Sequence, residues 1–100
     1  NNNIALIAAE RRDYGLAFDY FSRAHGEAVA HSNVGYLLLR TGNYDEAIKH
    51  LREAARLRPT ALGPLANLEL ALRATGKVAE AEEIHAQYLK AKQAEETAKK

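Results

Sequence analysis

GNYDEAIKHLREAARLRP, residues 42–59, reads as one helix with both ends marked. Gly42, an acid-containing turn and Tyr44 open it, alanines fill it, and Pro59 closes it. Ala47 and Ala54 lie seven residues apart on the face that also carries Leu51. Seven residues is close to two helical turns, so all three side chains point the same way. A stripe of Ala, Leu and Ala is thin, and a thin stripe lets another helix approach closely. Whether one does depends on whether the pattern recurs.

It recurs on both sides. Asn33 is matched by Asn67, Gly42 by Gly76 and Ala47 by Ala81, each pair 34 residues apart. Upstream, Asn3 pairs with Asn33, Tyr14 with Tyr44, Ala17 with Ala47 and Ala24 with Ala54, at a spacing of 30. Self-similarity at a fixed period of this length is the mark of stacked helical repeats.

The segment HSNVGYLLLRTGNYDEAIKHLREAARLRP, residues 31–59, resembles the tetratricopeptide repeat, whose period is about 34 residues. Val34 and Gly35 stand where that family has Leu-Gly, and Gly42 and Tyr44 stand at its turn. Ala47, Leu51, Ala54 and Pro59 follow its Ala, Phe, Ala, Pro series, while His31 replaces the usual Trp and Leu38 the usual Tyr. The flanking repeats are looser. The first keeps Asn3, Ile4, Tyr14, Ala17, Phe21 and Ala24, with Arg12 at the turn glycine. The third keeps Asn67, Leu68, Gly76 and Ala81, with Glu69 for the packing glycine, Tyr88 for the second alanine and Gln93 for the proline. The stretch AHGEAVAHSNVGYLL also resembles bacterial tetratricopeptide proteins, including envelope and pilus-assembly accessories.

The resemblance implies an all-α fold: a right-handed superhelical stack of three helix-turn-helix repeats, six helices in one domain over residues 1–100. The repeats fall at about 1–27, 28–61 and 62–95, with a polar helical extension over 92–100. Composition agrees with that class. Of the 100 residues 20 are Ala and 13 are Leu, which favours helices around a lean, closely packed core. A net charge of +1 gives no reason to expect nucleic acid or an acidic membrane as partner. With no cysteine there is neither a disulfide framework nor thiolate chemistry. No apolar run approaches the length of a membrane span. The chain starts without Met, inside the pattern of a first helix whose opening turn is missing, so a piece of a longer protein is expected and the compartment stays open.

Glycines, proline and periodicity place six helices, at about 2–11, 14–25, 27–41, 44–57, 61–75 and from 78 onward. Gly26 is the expected left-handed stop of the second. From Ala24 to Asn33 is nine steps and from Ala54 to Asn67 thirteen, so the second helix should be about one turn shorter than the fourth.

The resemblance implies that the first helix of each repeat lines a concave groove. The columns facing it are Leu6, Tyr36 and Leu70; Ala9, Leu39 and Arg73; Glu10, Arg40 and Ala74; and Asn2, Ser32 and Ala66. The expected ligand-binding set is therefore Leu6, Glu10, Asn33, Tyr36, Leu39, Arg40, Asn67, Leu70 and Arg73. An apolar floor with Arg40 and Arg73 at its edge suits a peptide or helix with apolar anchors and an acidic group. Asn3, Asn33 and Asn67 read either as an amide ladder for a ligand backbone or as groups satisfied within the stack. Some family members grip a C-terminal carboxylate with two lysines, two asparagines and an arginine. The matching positions here are Asn2, Leu6, Asn33, Gly63 and Asn67, of which only Asn33 fits, which argues against that receptor type.

His25, His31, His50 and His85 show no metal-ligand spacing, there is no phosphate loop or nucleophile motif, and Glu80, Glu82 and Glu83 read as a solvated face. No catalytic residue, metal or cofactor is expected. The function expected is capture of a protein or peptide partner, with an assembly scaffold or self-association unit as the alternative. Ile4, Ile7, Leu6, Tyr14 and Phe18 would make the N-terminal end an apolar surface for homo-oligomerisation.

Overall fold

The computed structural model describes residues 14–98. Within them lie five helices: α1 (Tyr14–His25), α2 (Glu27–Arg40), α3 (Tyr44–Leu57), α4 (Leu62–Ala74) and α5 (Val78–Ala98). They correspond to the second to sixth helices read from the sequence. The expected first helix, with Leu6 and Glu10, lies outside the described residues. No strand occurs among the described residues. Each helix packs on the next, and α2 also touches α4, as neighbouring hairpins do when stacked side by side.

The two hairpin turns are chemically the same. After α2, Thr41 caps the helix, Gly42 turns left-handed at φ 82°, and Asn43 N–H donates to the Leu38 carbonyl at 2.8 Å. After α4, Gly76 takes φ 77° and Lys77 N–H donates to the Leu72 carbonyl at 2.8 Å. This is the Schellman arrangement, in which a left-handed residue lets the chain reverse while the last carbonyls find donors. Thr41 and Thr75 each add a hydroxyl that donates to carbonyls of the preceding turn, at 3.0–3.1 Å.

The repeated small residues are the contact points. Ala17, Ala47 and Ala81 are all fully buried. Gly35 of α2 faces α3 so closely that a Cβ there would stand 2.7 Å from Leu51 Cγ and 3.4 Å from the Ala47 carbonyl oxygen. Smallness at positions 35 and 47 is therefore what lets α2 and α3 cross. Around this crossing Val34, Leu38, Leu51, Leu65, Leu68 and Leu72 form one continuous core.

The four-residue deficit is not a lost helical turn. α1 has 12 residues and α3 has 14, a difference of two. Three residues of difference fall in the linker, where Gly26 alone joins α1 to α2 and residues 58–61 join α3 to α4, and one is returned because α2 starts six residues before Asn33 whereas α4 starts five before Asn67. Pro59 requires the longer linker, because its ring drives Arg58 out of helical geometry, to φ −136° and ψ 83°. No proline follows α1, and Gly26 at φ 91° and ψ 167° makes the turn in one residue. Gln93 replaces the proline in the last hairpin, and α5 runs on to Ala98.

Candidate functional site

The residues expected to face the groove divide into three groups. Tyr36 and Leu70, 34 residues apart on α2 and α4, are 44% and 58% exposed. The same register thus presents a large apolar side chain to solvent on two neighbouring helices. Arg40 is exposed one turn along from Tyr36, with its guanidinium carbon 5.8 Å from the centre of the Tyr36 ring. That distance is within cation–π range. Arg40 has no carboxylate partner among the described residues.

Leu39 and Arg73 are placed differently. Leu39 is half-buried and packs against the core rather than forming an open floor. Arg73 is exposed, but its Nε donates to Glu69 Oε2 at 2.9 Å within α4, so its charge is already partnered. Asn33 and Asn67 are half-buried, and neither amide bonds to a described residue. The expectation that these amides satisfy backbone in the stack therefore does not hold for them. Leu6 and Glu10 lie outside the described residues.

A cleft of about 340 Å³ opens beside Tyr36. Phe21 and His25 of α1 form one wall, and Val29, Asn33, Tyr36, Leu37 and Arg40 of α2 form the other. The wall on α2 is a helical stripe: residues 29, 33, 36 and 40 recur at three- and four-residue steps. A smaller cavity of about 110 Å³ lies on the other side of Val29 and Asn33, bounded by Ala54 and Arg58 at the end of α3 and by Ala61 and Pro64 at the start of α4. Asn33 therefore stands on a ridge between two hollows, with Arg40 beside one and Arg58 beside the other, neither ion-paired among the described residues.

Three of the four histidines have side-chain partners among the described residues. His31 Nδ1 and His50 Nδ1 approach to 3.0 Å across α2 and α3. His85 Nδ1 meets Glu69 Oε1 at 2.9 Å across α4 and α5. Burial opposes the charge on Glu69, but hydrogen bonds from His85 and Arg73, with their charges, outweigh it and hold the carboxyl below its ordinary value. Glu80 is likewise not merely solvated, since Arg52 of α3 reaches it at 2.8 Å. Among the described residues no group of three or more His, Cys, Asp or Glu side chains could hold a metal ion. No helix among them is long and apolar enough to cross a membrane.

Helical hairpins with matching Thr-Gly turns, stacked through alanine contacts and presenting one exposed register, define an all-helical repeat. Residues 28–61, which carry α2 and α3, match the family model for the tetratricopeptide repeat. No curated protein matches the chain. The family is one of non-catalytic protein–protein interaction modules.

Proposed function

We propose that the chain is a three-repeat superhelix of six helices, with repeats at about 1–27, 28–61 and 62–95, that holds a peptide or helical segment of a partner protein in its concave groove. Tyr36 and Leu70 supply apolar contacts, and Arg40, oriented by the Tyr36 ring, meets an acidic group on the ligand. Asn33 and Asn67 offer amides to the ligand backbone. Leu6 and Glu10 extend the groove into the first repeat, and Leu39 and Arg73 brace its floor and rim. The observation that carries this reading is the cleft between α1 and α2, whose α2 wall contains Asn33, Tyr36 and Arg40, the last without a carboxylate partner among the described residues.

The test is selection from a random peptide library on the native protein, followed by affinity measurement on variants. Arg40→Glu and Tyr36→Ala should each weaken the selected peptides at least tenfold, with acidic residues enriched among them. Arg56→Ala, whose side chain pairs with Glu53 on α3, should bind as the native protein does. Equal affinity for all three variants would refute the groove. The alternative, self-association through the N-terminal end, is supported by Leu16, which is 50% exposed on α1. Light scattering over a hundredfold concentration range separates a monomer from an assembly.

A further inference from the structure

Three aromatic rings from three helices meet where α1 joins the α2–α3 hairpin. Phe18 of α1 lies 4.7 Å from His31 of α2 and 6.1 Å from His50 of α3, centre to centre, and the two imidazoles are 5.2 Å apart. The histidines are half-buried, and their Nδ1 atoms are 3.0 Å from one another. At that distance one ring must donate and the other accept. A single added proton is compatible with the contact, since a charged imidazole still donates to a neutral one. A second proton leaves two donors and two positive charges facing each other.

We propose that the His31–His50 pair, closed over by Phe18, makes the junction between α1 and the α2–α3 hairpin proton-sensitive: the junction holds while the pair carries at most one extra proton and loosens when both rings are charged. The consequence reaches the cleft, because α1 and α2 form its two walls.

The surroundings set the direction. On α3, burial and the charge of His31 lower the pKa of His50, while Glu46, one turn earlier, partly opposes them. Glu46 is shared with Lys49 at 3.1 Å. Glu53, also on α3, feels the charge of His31 but is bonded to Arg56. On α2, Glu27 lies one turn before His31 and acts on Arg56. α1 presents Phe18 to the pair, with Tyr14 one turn away bonded to Thr41, whereas Asp19 and Arg23 line a different hollow with Leu16 and Tyr20. Because His50 is harder to protonate in the folded chain than in the unfolded one, the contribution of the pair is complete above about pH 6.5 and is lost as pH falls below it.

The experiment is hydrogen exchange at pH 7.5 and pH 5.0, corrected for intrinsic chemistry, on the native protein and on His50→Phe and His31→Phe. In the native protein, protection of α1 should fall at least tenfold more than protection of α4 and α5, and each variant should abolish that difference. The His85–Glu69 pair is common to all three proteins, so the comparison cancels any contribution from it. A uniform loss across all five helices, or the same pH response in native and variants, would overturn the proposal. Should both variants fail to fold, ¹⁵N spectra of the native imidazoles decide. Two separated titration steps for His31 and His50, the lower below about pH 6.5, support it. A single step shared by both rings, like that of free imidazole, overturns it.

Discussion

Gly35→Ala should destabilise the protein, although the same substitution in an ordinary helix interior stabilises. The intrinsic gain from replacing a mid-helix glycine is about 0.5–1 kcal/mol. Against it stands a Cβ placed 2.7 Å from Leu51 Cγ and 2.9 Å from Leu51 Cδ2, well inside ordinary contact. Leu51 is fully buried, and Cγ is its branch point, so the clash is not relieved by swinging a flexible tip. Either Leu51 leaves its rotamer or α2 and α3 separate, and overpacking of this kind costs about 1–3 kcal/mol. The net expectation is a loss of about 1–2 kcal/mol, or a fall in melting temperature of about 5–15 °C for a domain of this size.

Urea and thermal unfolding followed by circular dichroism at 222 nm measure this directly. The sign change is the sharper check. On a Leu51→Ala background, studied at low temperature because that change alone costs about 2–5 kcal/mol, Gly35→Ala should become stabilising. A Gly35→Ala protein as stable as the native one or more so, with Leu51 intact, would refute the close crossing of α2 and α3.

Two further predictions rest on other elements. Gly26→Ala should cost about 1–3 kcal/mol through backbone strain alone, since φ 91° with ψ 167° is a region essentially reserved for glycine and no atom lies within 4 Å of an added Cβ. Gly26→Asn should not rescue it, because asparagine tolerates the left-handed helical region and not this one; both are read from denaturant midpoints. Glu69→Gln should flatten the acid limb of stability. The Glu69 carboxyl titrates lower in the folded chain than in the unfolded one, so its contribution is complete above about pH 4.5 and is lost as pH falls through the folded value. Unfolding midpoints of native protein and variant should therefore converge between pH 5 and pH 3, and parallel curves would remove Glu69 from the account.

The repeat was readable because each hairpin makes the same local demand. A left-handed glycine must follow Thr41 and Thr75, and a small residue must stand at 17, 47 and 81, so identity alone reveals the period. The exposed register was readable for the same reason, as Tyr36 and Leu70 share a helical phase. Contacts between helices were not readable, because phase says which way a side chain points and not how its helix is rotated against the next. His31 and His50 are 19 residues apart, and no periodicity links them. The deficit of four residues was visible, but its division between α1 and the linker depended on the backbone that Gly26 adopts.

One signal in the sequence does span two helices. Glu69 falls 34 residues after Gly35, and His85 falls 34 after Leu51. In the α2–α3 hairpin that pair of positions holds a close apolar approach, glycine against leucine. In the α4–α5 hairpin it holds a carboxylate against an imidazole at 2.9 Å, with Arg73 on the other carboxylate oxygen. Either substitution alone would fail. Glutamate at position 35 would drive a charge into Leu51, and leucine at position 85 would lie against the carboxylate of Glu69 and leave it without its second partner. Together they exchange one crossing for another and leave the hairpin intact. Glu69 reads as a departure from the repeat only when taken alone; with His85 it is the polar form of the same contact. The pairing also changes what α5 presents. The face that on α3 offers Tyr44, Ile48, Leu51 and Ala55 carries Val78, Glu82, His85 and Leu89 on α5, apolar at its ends and polar across its middle.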